Sequence, residues 1–317
     1  MDLVTLSDIE AAAERVAGTA VRTPLLPCPW AAGSSPESPL WLKPENLQPI
    51  GAFKIRGAYN AVARLTDAQR ERGVVAYSSG NHAQAVAYAA REFGIRAWIV
   101  VPKDTPVVKI EATRSHGAEV VLSEIGQREA RAAEIVEETG AALIPPFDHP
   151  DVIAGQGTIG LEIADDLPDA DLVLVPVSGG GLISGVATAI KHRSPKTQVW
   201  AVEPELAADT AASLAAGHLV DWSVADRNRT IADGLRSQPS PLTFAHQQAY
   251  VDGIVTVSED EIREAVALLA HKANLVAEPS GAVSVAGYLN RDLPRGRTVA
   301  VISGGNIDPA VLSEILR

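Results

Sequence analysis

The sequence predicts an α/β protein in which open, mostly parallel sheets are covered by helices and arranged in two closely packed lobes. Three observations predict it. From about Leu40 onward, short β-branched or apolar runs alternate with longer segments that are apolar at helical spacing, the pattern of a parallel sheet under helices. At 317 residues the chain is too long for one compact core of usual size. Three Gly- and Ser-rich loops directly follow strand candidates: SSGNH (78–82), SGGGLISG (178–185) and SGGN (303–306). In open α/β sheets ligands bind beyond the carboxyl ends of the strands, so these loops are expected to converge on one crevice.

The strand candidates, in order, are WLK (41–43), GVVAY (73–77), RAWIVV (96–101), AEVVL (118–122), DLVLVPV (171–177), QVWAVE (198–203), GIVTV (253–257) and RTVAVI (297–302). Most precede a helical run, and the runs are punctuated. Lys54 to Leu65 forms one, Asn81 is placed to cap another that ends before Gly94, Gly140 stops the run before it, and Ser258 caps one that ends near Lys272. The Pro- and Ser-rich stretch 33–39 reads as a surface loop, and no fixed-period repeat is visible.

A formal net charge of -12, with no run of Lys and Arg, argues against nucleic-acid and anionic-membrane partners and leaves a small molecule as the default ligand. Cys28 is the single thiol, which rules out an internal disulfide framework or a Cys-based metal cluster and suits a reducing cytoplasm. The amino terminus lacks the order of a secretory leader and no apolar stretch is long enough to span a bilayer, so an unexported, cytoplasmic protein is expected.

Lys54, in PIGAFKIRGA, stands at the start of a helical run, where its charge opposes the positive end of the helix dipole. A surface position is the commoner fate of any lysine, but Ile50, Phe53 and Ile55 around it argue that it points inward. Desolvation there would lower its pKa and make it an amine nucleophile and base. The SGGGLISG loop joins a strand to a helix beginning near Leu182, so its backbone N–H groups can cradle a phosphate, although a plain tight turn would read the same. Glu203, roughly 20 residues on, would suit the ribose acid of a dinucleotide site. Yet Gly179, Gly181 and Gly185 read G-x-G-x-x-x-G, one residue too long for that fingerprint, and a monophosphate fits better.

The motifs GAFKIRGA, SSGNHAQA, AGQGTIGLE, SGGGL, AEPS and SGGN, in this order across nearly the whole chain, resemble those of the fold-type-II pyridoxal-phosphate (PLP) enzymes, and within them the serine/threonine dehydratases and serine racemases. The resemblance implies a two-lobed fold like that of the tryptophan synthase β chain. A large PLP-binding domain would comprise 1–72 and 149–317, and a small substrate-side domain 73–148. It implies Lys54 as Schiff-base anchor and as the base that removes the Cα proton, with Phe53 beside the cofactor. Ser178, Gly179, Gly180, Gly181 and Leu182 match the phosphate cradle, and Asn81 the partner of the phenolic oxygen. Ser78, Ser79, Gly80, Asn81 and His82 match the loop for the substrate carboxylate; His82 is expected to hold that loop. Ser303 matches the partner of the pyridine nitrogen. A neutral hydroxyl there leaves the cofactor a weaker electron sink than a carboxylate would, which favours loss of the β-leaving group in or directly after proton abstraction. Glu278 matches a residue near the ring, and a helix amino-terminal acid is an equally good reading.

In EPELAAD, Glu203, Ala207 and Asp209 match a divalent-ion site of the group. An all-oxygen set suits Mg²⁺, Mn²⁺ or Ca²⁺ rather than zinc, although a solvated acidic turn is the usual fate of such a segment. The activity implied is α,β-elimination of water from a small β-hydroxy-α-amino acid, L-threonine or L-serine, giving a 2-oxo acid and ammonia. Two positions pull apart. Ser79 carries a hydroxyl where many dehydratases have Ala and where the racemases use a serine on the face opposite the lysine. Phe147, in PPFD, stands where animal-type racemases carry Asn. Arg128, in GQREA, aligns with an arginine near the substrate side chain and would suit the β-carboxylate of 3-hydroxyaspartate, although a surface helix position reads as well. Ala52 replaces a Ser common before Phe-Lys. A β-replacement transferase and a pseudoenzyme are the more distant alternatives. A homodimer is the family expectation, and with only a short helix after the last motif, isoleucine feedback through a separate regulatory domain is not expected.

Overall fold

Apolar runs that are continuous rather than alternating become strands buried on both faces, and these form the centre of each sheet. The computed structural model describes every residue except Met1, Pro106 and Arg295, and Val108 through its backbone alone. The strands are β1 (Leu26–Pro27), β2 (Leu40–Pro44), β3 (Val74–Tyr77), β4 (Ala97–Pro102), β5 (Glu119–Ser123), β6 (Ala142–Leu143), β7 (Leu172–Pro176), β8 (Gln198–Pro204), β9 (Gly253–Val257) and β10 (Thr298–Ile302). They build a six-stranded sheet in the order β1-β2-β10-β7-β8-β9 and a four-stranded sheet in the order β5-β4-β3-β6. Every pairing is parallel except the short β1–β2 edge. In β7 and β10 every residue is buried.

The helices are α1 (Leu6–Val16), α2 (Lys54–Ala63), α3 (Asp67–Arg72), α4 (Asn81–Glu92), α5 (Val107–Arg114), α6 (Arg128–Thr139) and α7 (Pro150–Asp166). They continue with α8 (Gly181–Arg193), α9 (Asp209–Ala216), α10 (Val224–Arg227), α11 (Pro241–Tyr250), α12 (Glu259–Leu268), α13 (Pro279–Asn290) and α14 (Pro309–Ile315). No helix is long and apolar enough to cross a membrane, among the described residues. Helices α7 and α8 pack against each other at backbone distance: a Cβ built on Gly185 would lie 2.3 Å from the Ile153 carbonyl, so only glycine fits there.

Helix α2 belongs to two packings at once. Its Ile55, Ala58, Ala61 and Val62 join Ala83, Val86 and Ala90 of α4 and the small sheet in one apolar cluster. Another side of α2 rests on α7, where Gln156 accepts the Gly57 N–H at 3.2 Å. Burying each larger aliphatic side chain there stabilises the fold by about 1.5–3 kcal/mol.

All eight strand candidates are strands. The two missing from that set, β1 and β6, are two residues long and leave no periodic trace. Gly140 ends α6 in the left-handed conformation, and Ser258 caps α12 through a full capping box. The run expected to reach Lys272 is α-helical only to Leu268; it continues as one π turn (Leu269–Ala273) and stops at Asn274, whose φ is 55°. Asn81 does not cap α4. Gly80 holds the cap position without a side-chain bond, and Asn81 is the first helical residue, its amide turned away into the cavity described next.

Candidate active site

The three Gly/Ser loops meet. One cavity of about 390 Å³ is walled by the loop after β3 (78–82), the loop after β7 with the first turn of α8 (178–182), and the loop after β10 (303–309). Phe53 and Lys54 form part of its wall, as do Arg128, Glu278 and Phe147. The volume lies within the range of small-molecule sites. Each residue expected to touch a cofactor or substrate therefore borders the same space. Glu203, Ala207 and Asp209 lie elsewhere, at the end of β8 and the start of α9.

Lys54 lies at the start of α2, half-buried, and donates from Nζ to the Pro146 carbonyl at 2.7 Å. With only a neutral acceptor for a partner, burial pushes its ammonium down to about 8. The helix is held from behind by Arg56, which is 1% exposed. Its guanidinium grips the Glu45 carboxylate through Nε and Nη2 at 2.8 and 2.9 Å and Glu162 through Nη1 at 2.6 Å. Lys43 Nζ completes this buried quartet on Glu162 at 2.5 Å.

The 178–182 loop supplies backbone N–H groups at the amino end of α8. Gly180 has φ +91°, open to glycine but strained for other residues, and a Cβ there would meet Gln247 Nε2 at 2.3 Å. Ser178 Oγ accepts from Ser237 N and donates to Ser237 O, both at 2.9 Å, so its hydroxyl fixes the loop. No acidic side chain stands in that loop, and the donor set fits a phosphate at a helix amino terminus.

Asn81 Nδ2 donates to Glu278 Oε1 at 2.6 Å, and its Oδ1 accepts from Asn306 Nδ2 at 2.8 Å. Burial, with the nearby charge of Asp233, pushes the Glu278 carboxyl up to about 7. His82 Nε2 is 2.8 Å from the Ile144 carbonyl; burial, then the charge of Lys54, pushes its pKa down to about 3, so the ring is neutral and donates there. That bond ties the 78–82 loop to the stretch after β6, the holding part expected for His82. Ser303 is buried and its hydroxyl reaches Ser280 O at 3.4 Å. Arg128 borders the cavity from α6, 6.0 Å over the Tyr77 ring, with Nε donated to Glu129 at 2.9 Å.

A half-buried lysine with a depressed pKa beside a phosphate-shaped nest is the pairing that a pyridoxal-phosphate site needs. Residues 16–304 match the family described as pyridoxal-phosphate dependent enzyme. The chain belongs to this family, in its fold-type-II group. It is 47% identical to the L-threonine ammonia-lyase of Thermotoga maritima over 99% of this chain and 78% of that protein. With the catabolic L-threonine dehydratase of Escherichia coli the identity is 43%, over 98% of this chain and 96% of that one. The crystal structure of serine racemase from Dictyostelium discoideum superposes with a TM-score of 0.90 at 38% identity, covering 96% of this chain and 99% of that one.

The cavity also contains residues whose roles no motif marks. Lys109 of α5 and Asp233, at the head of a short 3₁₀ turn (Asp233–Leu235), line it as an ion pair at 2.9 Å. Asn306 lay inside the SGGN motif, and only its meeting with Asn81 shows what it does. Pro146 offered no signal, because its contribution is a carbonyl oxygen.

Proposed function

We propose that this PLP enzyme is an ammonia-lyase that removes water from L-threonine or L-serine and releases the 2-oxo acid and ammonia. The observation that carries the reading is Lys54, a lysine held near pKa 8 in the cavity that also contains the 78–82 loop and the glycine nest. Bound there, the cofactor supplies an electron sink for charge developing at the substrate Cα.

The chain's own residues divide the remaining work. The N–H groups of Gly179 to Leu182 would hold the phosphate, and the Ser303 hydroxyl would face the pyridine nitrogen. Asn81 would contact the phenolic oxygen, with Phe53 and Glu278 bordering the ring. Ser78 to His82 would receive the substrate carboxylate. Neutral Lys54 takes the Cα proton, the β-hydroxyl leaves with a proton as water, and an enamine remains. After release, its imine tautomer adds water and yields the 2-oxo acid and ammonia. Residues 73–148 would form the substrate-side lobe, and 1–72 with 149–317 the cofactor lobe. The family resemblance supports a homodimer and the buried single thiol a cytoplasmic, reducing setting.

Glu203, Ala207 and Asp209 suit a hard cation such as Mg²⁺. Both Asp209 carboxylate oxygens are buried without a partner, and burial pushes that acid up to about 6. Glu203 accepts the Thr210 and Ala211 N–H groups at 3.0 and 2.9 Å, yet burial and the charge of Asp209 push it up to about 8. Two desolvated acids that repel each other are what a divalent ion would relieve.

The test is product analysis. L-Threonine, L-serine and L-threo-3-hydroxyaspartate are each incubated with the enzyme, and 2-oxo acid, ammonia and D-enantiomer are scored. Equal release of 2-oxo acid and ammonia from L-threonine or L-serine is expected. D-Enantiomer as the main product would favour the racemase reading, which Ser79 in the cavity supports. Preference for hydroxyaspartate would favour Arg128 as a carboxylate partner.

A further inference from the structure

We propose that Lys109 and Asp233 are positioning residues: their ion pair latches the small-sheet segment over the active-site cavity and is released and remade around each substrate. Among the described residues it is the one ion pair that joins 73–148 to the remainder of the chain. Both partners border the cavity, with Nζ–Oδ2 at 2.9 Å.

The two ends are anchored differently. Asp233 starts a 3₁₀ turn whose Gly234 N–H donates to Ser280 Oγ at 2.9 Å, and Ser280 also accepts the Ser303 hydroxyl, so this end is fixed to the floor of the site. Lys109 rides on α5, which packs with α4 and β5, elements of the small-sheet segment. On its other contact with the chain this segment is held by a dry apolar cluster with α2, which suits a pivot. The cavity side is held by polar contacts, and of these the charged one lies beyond the 78–82 loop.

The side chains of Lys109 and Asp233 are 34% and 44% exposed. A pair in that setting is weak and salt-screened, as a contact opened in every turnover must be, whereas a buried pair would lock the lobe shut. The pair is also felt electrostatically inside the site. Asp233 pushes the Glu278 acid up and Lys109, by less, pulls it down, so the two ends of the latch act in opposite senses on the carboxyl that holds Asn81.

The inference rests on the proposed reaction only for its assay substrate. The holoenzyme is compared with Lys109→Gln, Lys109→Arg and Asp233→Asn at low and high NaCl, with Tm measured alongside. For Lys109→Gln we expect KM for L-threonine to rise by up to about fivefold, the top of the range for an exposed pair, with a smaller change in kcat. Lys109→Arg should restore it. The salt dependence of KM in the wild type should vanish in both neutral variants, and the amides of α5 should exchange faster by hydrogen-exchange mass spectrometry. A Lys109→Gln enzyme with wild-type Tm, KM, salt response and α5 exchange would overturn the latch. Should that variant fail to fold, Asp233→Asn decides on the same readings. A wild type without turnover would sink the proposed reaction alone, and α5 exchange in the two neutral variants would still decide the latch.

Discussion

Replacing Arg56 by methionine keeps most of the buried stem and removes the charge, which isolates the quartet behind Lys54. The guanidinium makes four bonds to Glu45 and Glu162, one to Thr158 Oγ1 and one to the Val21 carbonyl. After its loss Glu45, which is 0% exposed, keeps only the Thr23 hydroxyl at 2.7 Å, the Gln48 amide at 3.0 Å and the more distant charge of Lys43. Removing one partner of a buried pair typically costs about 3–5 kcal/mol, because the charge left behind is not rehydrated. Urea unfolding at fixed cofactor saturation measures it. The pH dependence has a defined sign. In the wild type Arg56 holds Glu45 below its ordinary 4.5 against the pull of burial, so the pair stabilises above that value and its contribution fades as pH falls through the folded pKa. In the variant the Thr23 hydroxyl and the Lys43 charge still oppose burial, but without Arg56 the Glu45 carboxyl shifts upward, so the deficit is widest at high pH and narrows as pH falls through the variant's raised folded pKa. The double variant Arg56→Met with Glu45→Met should recover more than half of the loss, since no buried charge is stranded. A deficit under about 1 kcal/mol, or one flat between pH 7 and 4, would refute the reasoning.

Lys54→Ala should lose turnover by several orders of magnitude, and borohydride reduction of the wild-type holoenzyme should fix the cofactor on Lys54; a label mapped to another lysine removes the centre of the proposed function. Ser79→Ala should abolish any D-serine formation while elimination from the L-substrates survives better, because only racemisation needs a proton donor on the second face; equal loss of both with cofactor retained makes Ser79 a positioning residue. Chelation should lower Tm and Mg²⁺ should restore it, with the response absent in Glu203→Gln. An unchanged Tm after exhaustive chelation returns Glu203 and Asp209 to a metal-free acidic turn.

What the sequence revealed follows from how local each signal is. The central strands β7 and β10 announce themselves because a strand buried on both faces must be apolar at every position. Lys54 was legible because a cation at a helix start among Ile50, Phe53 and Ile55 is locally unfavourable and needs a reason. Asn81 reads as a cap for the converse reason: an Asn before a helical run looks the same whether its side chain turns back to the helix or across to Glu278, 197 positions away. Lys109 and Asp233 are ordinary surface residues in their own neighbourhoods, and their meeting over 124 positions is a property of the fold alone. Arg56 reads as one more polar residue in KIRGA until Glu45 and Glu162 are brought to it.

Helix α2 joins the apolar cluster of the small sheet on one side, rests on α7 on another, and is fastened by charge at its base. On the proposed mechanism the Lys54 amine therefore does not travel. If the 78–82 loop receives the substrate as proposed, the motion that encloses it carries the substrate toward a stationary lysine. Elimination chemistry and side-chain choice are thus mechanically separable in this molecule. On that reading, variation confined to α5, α6 and the small sheet would retune which amino acid is accepted, while the lysine proposed for the proton transfer stays where α7 and the Arg56 quartet hold it.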